Sequence, residues 1–117
     1  MYKRQIIIHK DAQKTDSEQA CNALLLSDKA EVDAKPELEI YADDVTAAHG
    51  STVGQLDEDA VFYLKSRGVG EEGARAILTS SFANALVAKV GIEPIERYVE
   101  AALLAKMPGG RAYADLA

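Results

Sequence analysis

A chain of 117 residues, 48% hydrophobic and 27% charged, is long enough to bury a core without disulfides or a metal as staples. Its formal charge of −6 arises in both halves, from ten acidic against six basic residues up to Gly54 and nine against seven beyond, with no basic stripe; this argues against nucleic acid and anionic membrane as partners. The one cysteine, Cys21, excludes an internal disulfide and any zinc or iron–sulfur site built from this chain's thiolates alone, and it fits a reducing, cytoplasmic setting.

The opening "MYKRQIIIHKDAQ" is basic, but its apolar run is three isoleucines, and nowhere does the chain approach the ~20 apolar residues of a membrane span. From there to Gly54 the pattern is of short apolar runs: "QIIIH", "NALLL", "AEVDA", "LEIYA" and "VTAAH". Asp11-Ala12, Thr15-Asp16, Ser27-Asp28, Lys35-Pro36 and Asp43-Asp44 punctuate them with turn chemistry. The spacing predicts five short strands, with Ile6 and Ile8, Val32 and Ala34, and Leu38 and Ile40 on one parity. Five strands fall short of the ~7 of a self-contained sandwich; a sandwich fragment, a small barrel and the last coils of a parallel β-helix remain open.

After Gly54 the period becomes helical. "LDEDAVFYLKSRG" offers Asp57 as N-cap, acids in the first turn, Lys65 and Arg67 in the last and Gly68 beyond. "EEGARAILTSSFANALVAKVG" places Ala74, Ile77, Leu78, Phe82, Ala85, Leu86 and Val90 on one stripe and ends at Gly91. A third helix starts at Pro94, a residue suited to a first helical position, with a stripe of Ile95, Tyr98, Val99, Ala102 and Leu103. "MPGG" stops it. The organisation read from the sequence is thus residues 1–54 as strands, 55–110 as a three-helix domain and 111–117 as a flexible tail, an α+β class. Three short helices do not fully cover such stripes, and surplus apolar surface marks a docking site.

Candidate chemistry is sparse. His49 stands after Ala47-Ala48 and before Gly50; spacing alone makes it a partly buried histidine hydrogen-bonded at a strand end, with metal ligation or proton handling as the alternative. His9 reads as an exposed turn residue, and Cys21 as a small buried hydrophobe. Asp43 and Asp44 point to opposite sides of a strand unless a turn brings them together, and "SRGVGEEG" carries glutamates where a phosphate site would need the opposite charge. No nucleophile–base pair or paired carboxylates stand out, so a binding or assembly module fits better than an enzyme. Two other readings stay open: a purely structural dimerisation or capping module, and a small metal-binding protein using His49 with Asp43, Asp44 or His9.

Longer motifs speak more specifically. "QKTD" (13–16), "NALLLSDKAEVDAKPELEIYADDV" (22–45), "HGSTVGQLDE" (49–58) and "FYLKSRG" (62–68) resemble the C-terminal segment of the SufB/SufD family of iron–sulfur cluster assembly scaffold proteins, on its SufD side. The resemblance implies the last part of a longer protein, in which a right-handed parallel β-helix is followed by a C-terminal helical domain. It implies two partners, SufB paired through the β-helix and the ABC-type ATPase SufC docked on the helices. It also implies a transient iron–sulfur cluster in the full complex, with none bound by the isolated chain and none of the catalysis its own. In the family a histidine in a motif like Cys-Ser-His-Gly-Ala-Thr faces SufB, and His49 falls there as a candidate ligand of iron or cluster. Ala47-Ala48 replace the Cys-Ser of that motif, so no thiolate accompanies the histidine on its own strand. Phe62, Tyr63, Arg67, Ile77 and Phe82 are the residues expected to meet SufC. A β-helix coil with an open edge also implies that the isolated chain self-associates as a homo-oligomer.

Overall fold

The computed structural model of the chain describes residues 2–114. Four strands come first, β1 (Tyr2–Ile8), β2 (Asp16–Leu25), β3 (Ala34–Ile40) and β4 (Thr46–Gln55), followed by α1 (Glu58–Ser66), α2 (Glu71–Val87), α3 (Glu93–Lys106) and a short α4 (Gly110–Ala114). Strands and helices do not mix, which is the α+β class. The chain divides into two compact units between Gln55 and Leu56.

In the strand unit, β1 pairs with β3 and β2 with β4, both parallel. Tyr2 lies beside Ala34 and Asp16 beside Thr46, so the chain returns alongside itself after 32 residues in one sheet and 30 in the other. The difference of two is the difference between the seven residues, 9–15, that join β1 to β2 and the five, 41–45, that join β3 to β4. Parallel neighbours need a long crossover; here the strand of the other sheet supplies it. Alternation follows the pleat: Ile8 is 3% exposed and Ile6 half-buried, while Ile7 between them is 47% exposed.

One corner ties the two turns of chain together. Lys14 is the only non-glycine residue with positive φ, 62°, among the described residues. Its N–H donates to the Asp44 carbonyl (2.6 Å) and its Nζ meets Asp44 Oδ2 (2.8 Å), the Asp44 N–H donates to Gln13 Oε1 (2.9 Å), and the Thr46 N–H donates to the Thr15 carbonyl (2.9 Å). "QKTD" and "DDV" are thus two halves of one latch, which explains their composition: Gln and Asp supply side-chain acceptors where the ladder has not yet begun.

The strand expected in "AEVDA" does not form. Ser27 closes a turn there, accepting the Ala30 N–H on its carbonyl (2.9 Å) and the Lys29 N–H on its hydroxyl (3.2 Å), and Val32 is exposed; the ladder with β1 takes up only the last residue of that run, Ala34, opposite Tyr2. Conversely, β2 and β4 are longer than the apolar runs suggest, because each continues wherever the other offers a ladder. β3 runs through Pro36, opposite Arg4, on a strand with one free edge where a missing N–H is tolerated.

In the helical unit, Asp57 caps α1 by accepting the Asp59 N–H at 2.9 Å, and Gly68 (φ 91°) and Gly91 (φ 70°) take the left-handed turns after α1 and α2. The core differs from the predicted stripes. α2 buries Gly73, Ala74, Ala76, Ser80 and Val87, leaving Phe82 44% and Leu86 71% exposed. α3 buries no residue fully and leaves Ile95 and Tyr98 outside. Small residues let helices approach closely, so the α2 seam is the narrow face, and the bulky face is left over. Ion pairs frame α1 against α2: Arg75 grips Glu58 with both terminal nitrogens (3.0 Å each) and reaches Glu71, which also accepts Lys65 at 2.8 Å.

The tail expected from Arg111 is helical as far as Ala114; residues 115–117 lie outside the described part. α4 forms because "PGG" permits a tight reversal. Gly109 has φ 75°, and a Cβ on Gly110 would lie 2.0 Å from the Leu104 carbonyl oxygen. Gly110→Ala is therefore expected to cost about 1–3 kcal/mol, as overpacked sites do, and Asp57→Ala about 1 kcal/mol through the lost cap. Denaturant unfolding monitored by circular dichroism checks both; no loss in either variant would contradict the packing described for this unit.

Candidate functional site

β4 is the least covered strand: of its ten residues only Ala47 is even half-buried. His49 stands in its middle rather than at its end, exposed, and its imidazole forms no hydrogen bond or ion pair with the described residues. The partly buried, hydrogen-bonded histidine read from spacing is thereby corrected. The strand does not stop at "VTAAH", because β2 continues to pair with it through Leu25 and Gln55.

The register sets what surrounds the imidazole. Gln19 lies directly beside His49, and Cys21 beside Ser51. Along β2 the odd positions Ser17, Gln19, Cys21 and Ala23 are half-buried and the even ones exposed as far as Asn22, so Cys21 is a half-buried free thiol rather than a core residue. On the opposite face Thr52 Oγ1 donates to Asn22 Oδ1 at 2.8 Å. Both polar atoms of the Gln19 carboxamide are enclosed and have no partner among the described residues. His9 is exposed beyond β1, and Asp44 is engaged by Lys14. No group of three or more His, Cys, Asp or Glu side chains able to hold a metal ion occurs among the described residues, and no helix among them is long and apolar enough to cross a membrane.

The helical unit presents a second surface. Phe62 is 72% and Tyr63 56% exposed on α1. The Arg67 guanidinium lies 5.2 Å from the Tyr63 ring centroid, a cation–π arrangement that holds both side chains in a defined pose. Ile77 is half-buried and Phe82 partly exposed. Leu86 and Tyr98, both more than two-thirds exposed, extend the apolar surface of this unit; the stripes of the sequence contain both without saying which of their residues stay uncovered. For Leu86 the signal is the Gly73, Ala76, Ser80, Val87 seam on the same helix.

An open strand with a free imidazole and helices with their bulky apolar residues outward define the class as an interaction module. Residues 1–82 match the SufBD core domain of the SUF system for FeS cluster assembly, and the chain belongs to the SufB/SufD family. It is 42% identical over 105 residues to the iron–sulfur cluster assembly protein SufD of Escherichia coli (strain K12), covering 90% of this chain and 25% of that protein. It is 39% identical over 90 residues to the SufD of Bacillus subtilis (strain 168), covering 77% and 21%. An iron–sulfur cluster assembly SufBD family protein of Synechocystis is 36% identical over 96 residues, covering 82% and 21%. The chain therefore spans a quarter or less of the length of these curated relatives.

The Glu71 carboxyl is held below the usual carboxylate range, first by its hydrogen bond from Lys65 and then by Arg75. A depressed folded pKa contributes stability that is present above the unfolded pKa and is lost as pH falls through the folded one. Because the group is exposed to solvent the effect is small, and it should appear as a Tm that drops more steeply on acidification in the parent than in Glu71→Gln; parallel curves would exclude it. Phe62→Ala, at an exposed site, should change folding stability by no more than about 0.5 kcal/mol, checked by the same unfolding measurement.

Proposed function

We propose that this chain is a SufD-type scaffold piece for iron–sulfur cluster assembly. Its strand unit contributes coils of a parallel β-helix that pair with SufB along β4, and its helical unit docks the SufC ATPase. It has no catalysis of its own. The observation that carries the reading is the uncovered β4 with His49 at its centre, on a chain whose SufBD core match runs from the strands into α2. The parallel return of the chain after 30 to 32 residues supports successive β-helix coils.

His49 is the residue through which the chain meets iron or a nascent cluster, which is cargo here. A neutral imidazole is a good iron ligand, and mixed His/Cys ligation of clusters has precedent. Phe62, Tyr63 and Arg67, with Phe82 and part of Ile77, make the SufC-docking surface: exposed aromatics and an arginine are the residue types that dominate interface energetics.

Calorimetry of purified SufC with this chain should show binding, weakened at least about tenfold by Phe62→Ala or Tyr63→Ala, the scale of an aromatic hot spot; no heat of binding overturns the docking. In cells that depend on the Suf system, His49→Ala in the full-length protein should impair cluster assembly, and intact assembly overturns the role given to His49. The free edges of both two-stranded sheets seek partners, so light scattering at micromolar concentrations should report a homo-oligomer. A monomer contradicts that part of the reading.

A further inference from the structure

We infer that Cys21 and His49 together form a nitrogen–sulfur half-site for a thiophilic transition-metal ion such as ferrous iron. The inference rests on the proposal that β4 meets metal or cluster as cargo, and it adds a second donor from this chain.

The register brings the two residues together. Residues paired side by side in a sheet point to the same face, and Gln19 is paired with His49 and Cys21 with Ser51. Cys21 therefore shares His49's face, one strand across and two residues along. With about 4.8 Å between strands and about 6.6 Å for two residues of rise, the Cα atoms lie about 8 Å apart. An imidazole and a thiolate, with metal bonds of about 2.1 and 2.3 Å, span that separation. Ala47 and Ser51, the neighbours of His49 on that face of β4, are small. Neither the imidazole nor the thiol has a partner among the described residues.

A further observation points to a ligand. The Gln19 carboxamide, beside His49 and on the same face, is enclosed at both polar atoms with nothing to bond. An enclosed carboxamide needs a hydrogen-bonding partner. A carboxamide can accept the second N–H of a metal-bound imidazole and donate to a metal-bound water, the usual second-shell duties. The donor set itself is selective: imidazole nitrogen and thiolate sulfur favour iron, zinc or copper over magnesium or calcium. Two donors do not close a site, so the remaining positions belong to whatever faces β4.

The chain's single thiol gives a clean readout. Cys21 is alkylated with iodoacetamide under anaerobic conditions, with and without ferrous iron, and followed by mass spectrometry, with magnesium as control. Iron should slow alkylation, and His49→Ala should weaken this protection by at least the tenfold or so that loss of even an outer-shell partner costs a metal site. The double variant Cys21→Ser, Ala47→Cys moves the thiol onto His49's own strand, two residues away on the same face, and should regain protection. Circular dichroism confirms that each variant folds. Absence of protection in the parent chain, or protection undiminished in His49→Ala, overturns the half-site. Failure of the underlying reading looks different: His49→Ala would then leave cluster assembly in cells intact, whatever the alkylation result.

Discussion

The parallel pairing of β2 with β4 is the constraint on which the rest depends. It joins ten residues to ten without a break, and since side chains alternate with period two, a slip of one residue would exchange the faces of every member. The corner at Gln13, Lys14 and Thr15 guards against that slip at the point where the ladder starts. A lysine in the left-handed region costs roughly 1–3 kcal/mol; bonds to the Asp44 carbonyl, carboxylate and N–H and to the Thr46 N–H offset it. Further along the two strands, the same register sets Cys21 and His49 on one face.

Burial elsewhere is thin. Among the described residues the fully buried apolar set is Ile8, Ala42, Val61, Ala74, Ala76 and Val87, with Ser80 as the buried polar one. Half of these are alanines, while the bulky Phe62, Leu86 and Tyr98, each more than two-thirds exposed, give the fold little. At about 25 cal/mol per Å² of apolar area buried, that surface is available to association instead. The helical unit compensates with short seams and exposed ion pairs such as Arg75 with Glu58, which fix orientation more than they add stability. A surface kept apolar at the expense of the core is what a docking element requires.

Much of this was legible in the sequence where one local rule decided the outcome. Asp57 and Gly68 delimit α1, Pro94 opens α3, and the switch of period after Gly54 separates strands from helices. Legibility failed where a partner decided. "AEVDA" has strand composition, yet among the described residues only its last, Ala34, enters a ladder, whereas "HGSTVGQ" has poor strand composition and a full-length neighbour in β2. The stripes of α2 and α3 do not say which of their residues stay uncovered, because periodicity reports which residues share a face, not which face is covered. His49 was legible as a residue of interest only through the long motifs around it; its exposure and its neighbours Gln19 and Cys21, 28 to 30 positions away in the chain, come from the register alone.

The same dependence on a partner bears on how such a piece would handle its cargo. A closed site of three or four donors binds thiophilic metals tightly and releases them reluctantly, which suits a structural centre. A half-site of one imidazole and one thiolate, on a strand otherwise open, would hold iron firmly only while an opposing surface supplies the remaining ligands. Retention then becomes a property of the assembled interface, and anything that separates β4 from its partner lowers affinity without altering a single ligand in this chain. On the proposed reading, that coupling gives an ATPase docked on the helical unit a means of governing release, since it need only change how two surfaces meet.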